Sequence, residues 1–246
     1  MKKIIVANWK MKLSYLDSLA LAKKYQSSRQ IRDSVRDIIV CPDFISASKV
    51  AEILKQKPFS SGAQDCAMAA RGAYTGEVSP ADIKAIGMNY VILGHSERRD
   101  QLHENSALIA AKVKAAISEG LVPIICIGEK LIEKQSGETR KYLRSELKKS
   151  LAGVKLKPQD RLIIAYEPVW AISSTRGAKS MDPEEADAIQ EFIKGLAVKI
   201  LKKKVPVLYG GSVSSDNALA YLKMKNIDGL LVGAASLDVA DFEKMC

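Results

Sequence analysis

Histidine occurs only twice in this chain, at His95 and His103, too seldom to build an evident metal cluster. Cysteine occurs four times, at Cys41, Cys66, Cys126 and Cys246. No two form a CxxC pair, and their spacing fits neither a zinc site nor a small disulfide scaffold. Reduced thiols and a cytoplasmic location are therefore expected. No apolar run approaches the roughly 20 residues that span a bilayer. The apolar part of the opening MKKIIVANWK is too short for the core of a secretion signal, so it reads as a first strand. Basic residues outnumber acidic ones, 38 to 28, for a net charge of +10, but they are scattered. The densest runs are Lys202–Lys204 and Lys148–Lys149, and without a basic–aromatic stripe a nucleic-acid partner is not indicated. A glycine-rich dinucleotide turn is also missing after the first strand, where ANWKMKLS stands, which argues against a doubly wound open sheet.

What is present is an alternation. Short β-type runs fall at 3–8, 37–41, 59–64, 90–94, 122–128, 161–167, 205–210 and 228–233, and most are continuously apolar, as parallel strands buried on both faces should be. Helical patterns lie between them. In 105–119, Leu108, Ile109, Val113, Ala116 and Ile117 keep helical spacing; in 138–151, Leu143, Leu147 and Leu151 do. In 182–203, Asp182 reads as an N-cap and Pro183 as the first helical residue, and Ile189, Phe192, Ile193, Leu196 and Ile200 form the apolar stripe. The third unit is the weakest, with a polar strand (FSSGAQ) and a long loop at 66–79. Eight such units in 246 residues, with no linker or low-complexity tract, predict one (β/α)8 barrel domain over 1–246.

Active sites of such barrels gather at the C-terminal ends of the strands. Asn8 and Lys10 follow the first run, two apart and so on one side of an extended chain. His95 follows the fourth, Glu167 the sixth, and the turns Gly210-Gly211-Ser212 and Gly233-Ala234 the seventh and eighth. Each has a plain reading alone: a surface lysine, a satisfied loop histidine, a helix-start charge, a common turn. Their convergence on one face favours chemistry. Glycine-containing turns entering helices offer backbone N–H groups to a phosphate. A glutamate in a dry site can take a proton α to a carbonyl, while a histidine and a lysine can stabilise the enolate charge that develops. With no metal cluster and no cofactor motif, acid–base chemistry on a small phosphorylated carbonyl compound is the simplest reading.

In their order along the chain, ANWKM (7–11), GAYTGEVS (72–79), VILGHSERR (91–99), CIGE (126–129), YEPVWAI (166–172), YGGSV (209–213) and DGLLVGAASL (228–237) closely resemble segments of the triosephosphate isomerase family. The resemblance implies interconversion of dihydroxyacetone phosphate and D-glyceraldehyde 3-phosphate through an enediol(ate), with no metal or other cofactor. It makes Glu167 the base, His95 the electrophile at the carbonyl, and Asn8 and Lys10 substrate-binding residues, Lys10 offsetting negative charge. Glu97 would support Lys10 and the His95 turn. Backbone N–H groups at Ser173, Ser212, Gly233 and Ala234 would hold the phosphate, with Gly210 and Gly211 shaping the turn and Cys126 and Glu129 behind the catalytic groups.

Two further features come with the resemblance. The loop with Tyr74 and Thr75 would project into a second subunit of a homodimer and reach its Asn8, Lys10 and His95. A lid would run from Pro168 through Val169, Trp170, Ala171, Ile172, Ser173, Ser174, Thr175 and Arg176 to Gly177. Pro168 would fix φ beside the base, 169–172 would cover the site from water, and Gly177 would take up hinge motion. Three departures stand out: Asp65 where the family usually has Asn, Ala234 where a second glycine is common, and SSTRGAKSMDPEEA in place of the usual Gly-Thr-Gly lid tip. Another phosphate-binding barrel, an aldolase or synthase, is the alternative. A Schiff-base aldolase would want a lysine at a central strand end, where Glu167 stands. A non-catalytic relative would have lost Lys10, His95 or Glu167.

Overall fold

A computed structural model of the chain describes residues 2–172 and 180–246. Eight strands, β1 (Ile4–Asn8), β2 (Asp37–Cys41), β3 (Phe59–Ala63), β4 (Tyr90–Leu93), β5 (Val122–Ile127), β6 (Ile163–Tyr166), β7 (Val207–Tyr209) and β8 (Gly229–Val232), pair in sequence order. Every ladder is parallel, and β8 closes onto β1 through Ile4–Gly229 to Ala7–Val232. The expected (β/α)8 barrel is the observed one.

The continuous apolarity of the strands has a direct cause. Successive side chains point to opposite faces, and here both faces are dry. Ile4, Val6, Ile39, Ile92, Ile124, Ile163, Leu208 and Leu231 pack with one another inside the barrel. Their neighbours Ile5, Ala7, Ile38, Val40, Val91, Leu93, Ile125 and Ile164 pack outward under the helices. The polar third strand forms despite its composition. A Cβ on Gly62 would stand 2.9 Å from Cys41 Sγ and 3.1 Å from the Tyr90 carbonyl, so a bulkier residue would push β3 off both neighbours. The stretch 66–79 holds no helix or strand, as expected of the long loop.

The helices obey their end signals. In Pro183–Leu201 the Asp182 carboxylate accepts from the N–H groups of Glu184 and Glu185 at 2.9 and 3.2 Å, satisfying two of the donors a helix start leaves open. Asn105 caps Ser106–Ser118 in the same way. The helix Thr139–Ser150 buries Leu143 and Leu147 with a carboxylate, Glu146, which accepts from the Gly128 N–H at 2.9 Å and so pins the turn after β5. Among the described residues no helix is long and apolar enough to cross a membrane.

Candidate active site

Asn8 and Lys10 are neighbours, though not by strand alternation. β1 ends at Asn8, and Lys10 takes a left-handed conformation with φ 52°. A lysine there costs on the order of 1 kcal/mol or more, and two polar contacts to its backbone hold it, one of them from a side chain fixed by a further bond. Asn8 Oδ1 accepts from the Lys10 N–H at 3.1 Å, and Gln64 Nε2 donates to the carbonyls of Lys10 and Cys41 at 2.8 and 3.1 Å. The extended geometry read from the sequence is thereby corrected: a turn clamped by two side chains brings Lys10 over the barrel mouth. Gln64 itself went unassigned in the sequence. Its only signal was a polar residue closing the polar third strand.

β4 delivers His95 and, two residues on, Glu97. Lys10 Nζ lies 2.5 Å from Glu97 Oε1. The His95 ring accepts from the Glu97 N–H at its Nδ1, 3.2 Å away. Only an unprotonated Nδ1 can accept that bond, so the ring hydrogen sits on Nε2. That nitrogen faces Glu167 Oε1 at 3.2 Å. Both side chains are almost fully buried, His95 6% and Glu167 3% exposed.

Glu167 occupies a niche that its neighbours leave open. The Glu167 N–H donates to the Ile127 carbonyl at 2.8 Å, so the backbone continues the β5–β6 ladder one step beyond the strand. A Cβ on Gly128 would fall 1.8 Å from the Glu167 carbonyl oxygen, and one on Gly210 2.8 Å from Glu167 Cγ. Gly211 likewise clears the Tyr209 hydroxyl, which its Cβ would approach to 2.2 Å. Cys126 lies behind, its thiol pushed well up by burial first and then by the Glu167 carboxylate, and thus protonated.

Glu129 is a fully buried carboxylate under the first turn after Glu167. Tyr166 donates its hydroxyl at 3.1 Å and Trp170 donates Nε1 at 2.8 Å, while the Val169 N–H donates to the Glu129 carbonyl at 2.9 Å. Trp170, assigned to the lid from the sequence, thus also serves as an anchor. Burial raises the Glu129 pKa, and the Trp170 bond is foremost among the contacts that hold it down. An acid whose native pKa lies above its unfolded value destabilises the fold increasingly as pH rises through that interval. Trp170→Phe deepens the shift. We therefore expect a loss of about 1–3 kcal/mol near pH 8 and a smaller one near pH 5, measurable by denaturant unfolding at the two pH values. An equal loss at both would contradict it.

A cavity of about 180 Å³ opens between Asn8, Trp9, Lys10, Lys12, Glu97, Gly233, Ala234 and Leu237. Lys10 Cε would lie 3.6 Å from a Cβ on Gly233, so the lysine and the turn after β8 border one space. Ala234 opens a short 3-10 turn, Ala234–Ser236, and is not among the residues with positive φ; alanine replaces glycine there without strain. The Ser212 N–H donates to the Ala171 carbonyl at 2.7 Å, tying the turn after β7 to Val169–Ala171. Further on, Met181 donates its N–H to the Tyr209 hydroxyl at 3.3 Å and accepts from the Tyr221 hydroxyl. Ser173, Ser174, Thr175, Arg176 and Gly177, the lid tip expected from the sequence, lie outside the described residues. Among the described residues no group of three or more His, Cys, Asp or Glu side chains could hold a metal ion.

A family model described as triosephosphate isomerase matches residues 3–246. Proteins of that name are similar along nearly the whole chain. The one from Carboxydothermus hydrogenoformans is 41% identical over 245 residues, covering 98% of this chain and 96% of its own. The Aquifex aeolicus protein is 39% identical over 248 residues, covering 100% and 98%, and the Dictyoglomus turgidum protein 38% over 242 residues, covering 98% and 97%.

Proposed function

The chain belongs to the triosephosphate isomerase family, and from that membership we infer that it interconverts dihydroxyacetone phosphate and D-glyceraldehyde 3-phosphate. The observation that carries the assignment of roles is the buried meeting of Glu167 Oε1 and His95 Nε2 at 3.2 Å, with Lys10 and Glu97 at the same mouth. Glu167 takes the proton from the carbon beside the carbonyl and returns it to the other carbon. The His95 Nε2–H donates to the carbonyl oxygen, moving from Glu167 to the substrate on binding, and gives that oxygen its proton while taking the hydroxyl proton from the neighbouring oxygen, and the Nδ1 contact with the Glu97 N–H keeps the ring in that tautomer. Lys10, oriented by Glu97, offsets the charge that grows on the enediolate oxygens and the charge of the phosphate. The phosphate rests on the backbone of Gly233 and Ala234 and on the Ser212 N–H, which exchanges the Ala171 carbonyl for a phosphate oxygen; Ser173 completes the set. Release of that bond, together with the bonds of Val169 and Trp170 to Glu129, lets Val169–Ile172 close and exclude water, which would otherwise let the enediolate expel phosphate. A coupled assay with D-glyceraldehyde 3-phosphate as sole substrate tests the reading. Turnover unchanged by EDTA is expected, and turnover that requires an added metal would overturn it.

The enzyme acts in the cytoplasm as a homodimer. Its four cysteines are unpaired and three of them buried. Tyr74, on a loop with positive φ at Gly72 and Gly76, is exposed, and so are Met11, Phe44, Ile45 and Met68 on the loops following β1, β2 and β3. Such an apolar patch beside the mouth suits a two-fold partner. Thr75→Arg places a charge in that interface and is expected to give monomers of low activity. Sedimentation showing wild-type monomers with full activity would exclude the dimer.

A further inference from the structure

The short helix that carries Glu97, Ser96–Gln101, buries none of its residues, so apolar packing does not fix it. Two arginines do. Arg99 donates to the carbonyls of Gly94 and Cys126 at 2.7 and 3.0 Å. Arg98 reaches the other way, to two buried carboxylates: its Nε and Nη2 donate to Glu104 Oε1 at 2.9 and 2.7 Å, and Nη2 also pairs with Asp65 Oδ2 at 2.8 Å, so Asp65 shares with Glu104 the hold on this guanidinium. The N–H groups of Arg98 and Arg99 both donate to the His95 carbonyl, at 2.9 and 3.1 Å, so the places of the two arginines together set where the His95–Glu97 turn sits. Lys112, itself buried, bridges the same acids at 2.7 and 2.5 Å. The cluster thus sets two carboxylates against two cations. Asp65 Oδ1 and Glu104 Oε2 are buried with no hydrogen-bond partner among the described residues.

We propose that Asp65 is a positioning residue for the isomerisation: ionised, it fastens Arg98 and through it the turn that presents His95 and Glu97, and protonated, it loosens that tie. It touches no substrate, and the proposal rests on the roles given above to His95 and Glu97.

Of the two acids, Asp65 takes a proton first. Burial pushes it up to about 6, opposed by Lys112 and Arg98 and reinforced by Glu104. Glu104 is also disfavoured by burial, yet ends below the usual carboxylate range because Arg98 and Lys112 both donate to it. The adjacent Cys66 thiol is pushed up by burial and remains neutral, and Glu77 acts on Arg98 across the loop. With the native pKa near 6 above a reference of 3.8, the contribution of Asp65 to stability is greatest below the reference and declines as pH rises through 6. The ionised form that positions the turn is therefore the form that burdens the fold, a division more often seen at functional groups than at purely structural ones.

Asp65→Asn keeps the shape and mimics the protonated acid. The readout is the ratio of variant to wild-type kcat across pH 5–8.5, in which the substrate phosphate's own ionisation near about 6 cancels. The ratio is expected near unity at pH 5 and about threefold to tenfold lower above pH 7, while the stability difference shifts in the variant's favour over the same interval. Lys112→Gln removes a cation that favours ionised Asp65 and should move the wild-type step to higher pH. Because the chain has only two histidines, the ¹⁵N ring signals of His95 can be followed without substrate. They should show the step in wild type and lose it in Asp65→Asn, whatever the enzyme turns over. A flat kcat ratio, or a His95 signal indifferent to Asp65, would overturn the proposal while leaving the isomerase reading intact.

Discussion

Glu167→Gln is expected to lower kcat by about 10²–10⁴-fold, the usual worth of a positioned general base, or about 2.7–5.4 kcal/mol of barrier. The amide keeps the size of the side chain and fits between Gly128 and Gly210, whose missing Cβ atoms leave room for it. It cannot take a proton. Since the fold around it is unchanged, thermal unfolding should match wild type to within a few degrees and KM should move little. Steady-state kinetics in both directions, set beside exchange of the transferred hydrogen with solvent, would show the proton-transfer step as the one lost. Near-normal turnover would remove Glu167 from the role.

Lys10→Met should be the next most damaging change, with kcat/KM lower by about 10²–10³-fold, the scale for removing one electrostatic contact to developing charge. Methionine fills the same volume, so packing against Gly233 is kept while the cation is lost. Glu97 then loses the ammonium that now lies 2.5 Å from its Oε1. Both kcat and KM should suffer, because in the role proposed above the lysine meets the ground-state phosphate as well as the enediolate. A rise in KM with kcat untouched would make Lys10 a binding group only. If Lys10→Arg failed to restore activity, geometry as well as charge would be implicated, consistent with the left-handed backbone at this residue.

The barrel was legible because its strands are apolar on both faces. Ile4–Asn8 and Ile163–Tyr166 read as buried parallel strands before any contact is known, and the residues following each strand mark the mouth. His95, Glu167 and Lys10 could be singled out by that rule, and the resemblance added their roles. Contacts between distant segments were not legible. Nothing local in Gln64 says that it holds the Lys10 carbonyl, and nothing in Trp170 says that its N–H is spent on Glu129. The Asp65–Arg98–Glu104–Lys112 cluster joins the loop after β3, the short helix Ser96–Gln101, the connection that follows it and the helix Ser106–Ser118. Its sequence trace is a single aspartate that differs from the family's usual residue. The pairing of Asn8 with Lys10 was read from strand alternation, but the strand ends at Asn8, two residues before Lys10. A backbone turn stabilised by a side chain leaves the same spacing as an extended chain.

Gly128 and Gly210 give the barrel mouth an unusual kind of inheritance. The acid's location is set largely by atoms that two other strand ends do not have, so the proposed chemistry is written in three places, only one of which would react. Drift at either glycine would evict the glutamate without altering a single catalytic group. Any lineage that keeps the reaction on this scaffold must keep both vacancies, and a lineage that fills one has in effect abandoned the old chemistry while its functional side chains are still in place.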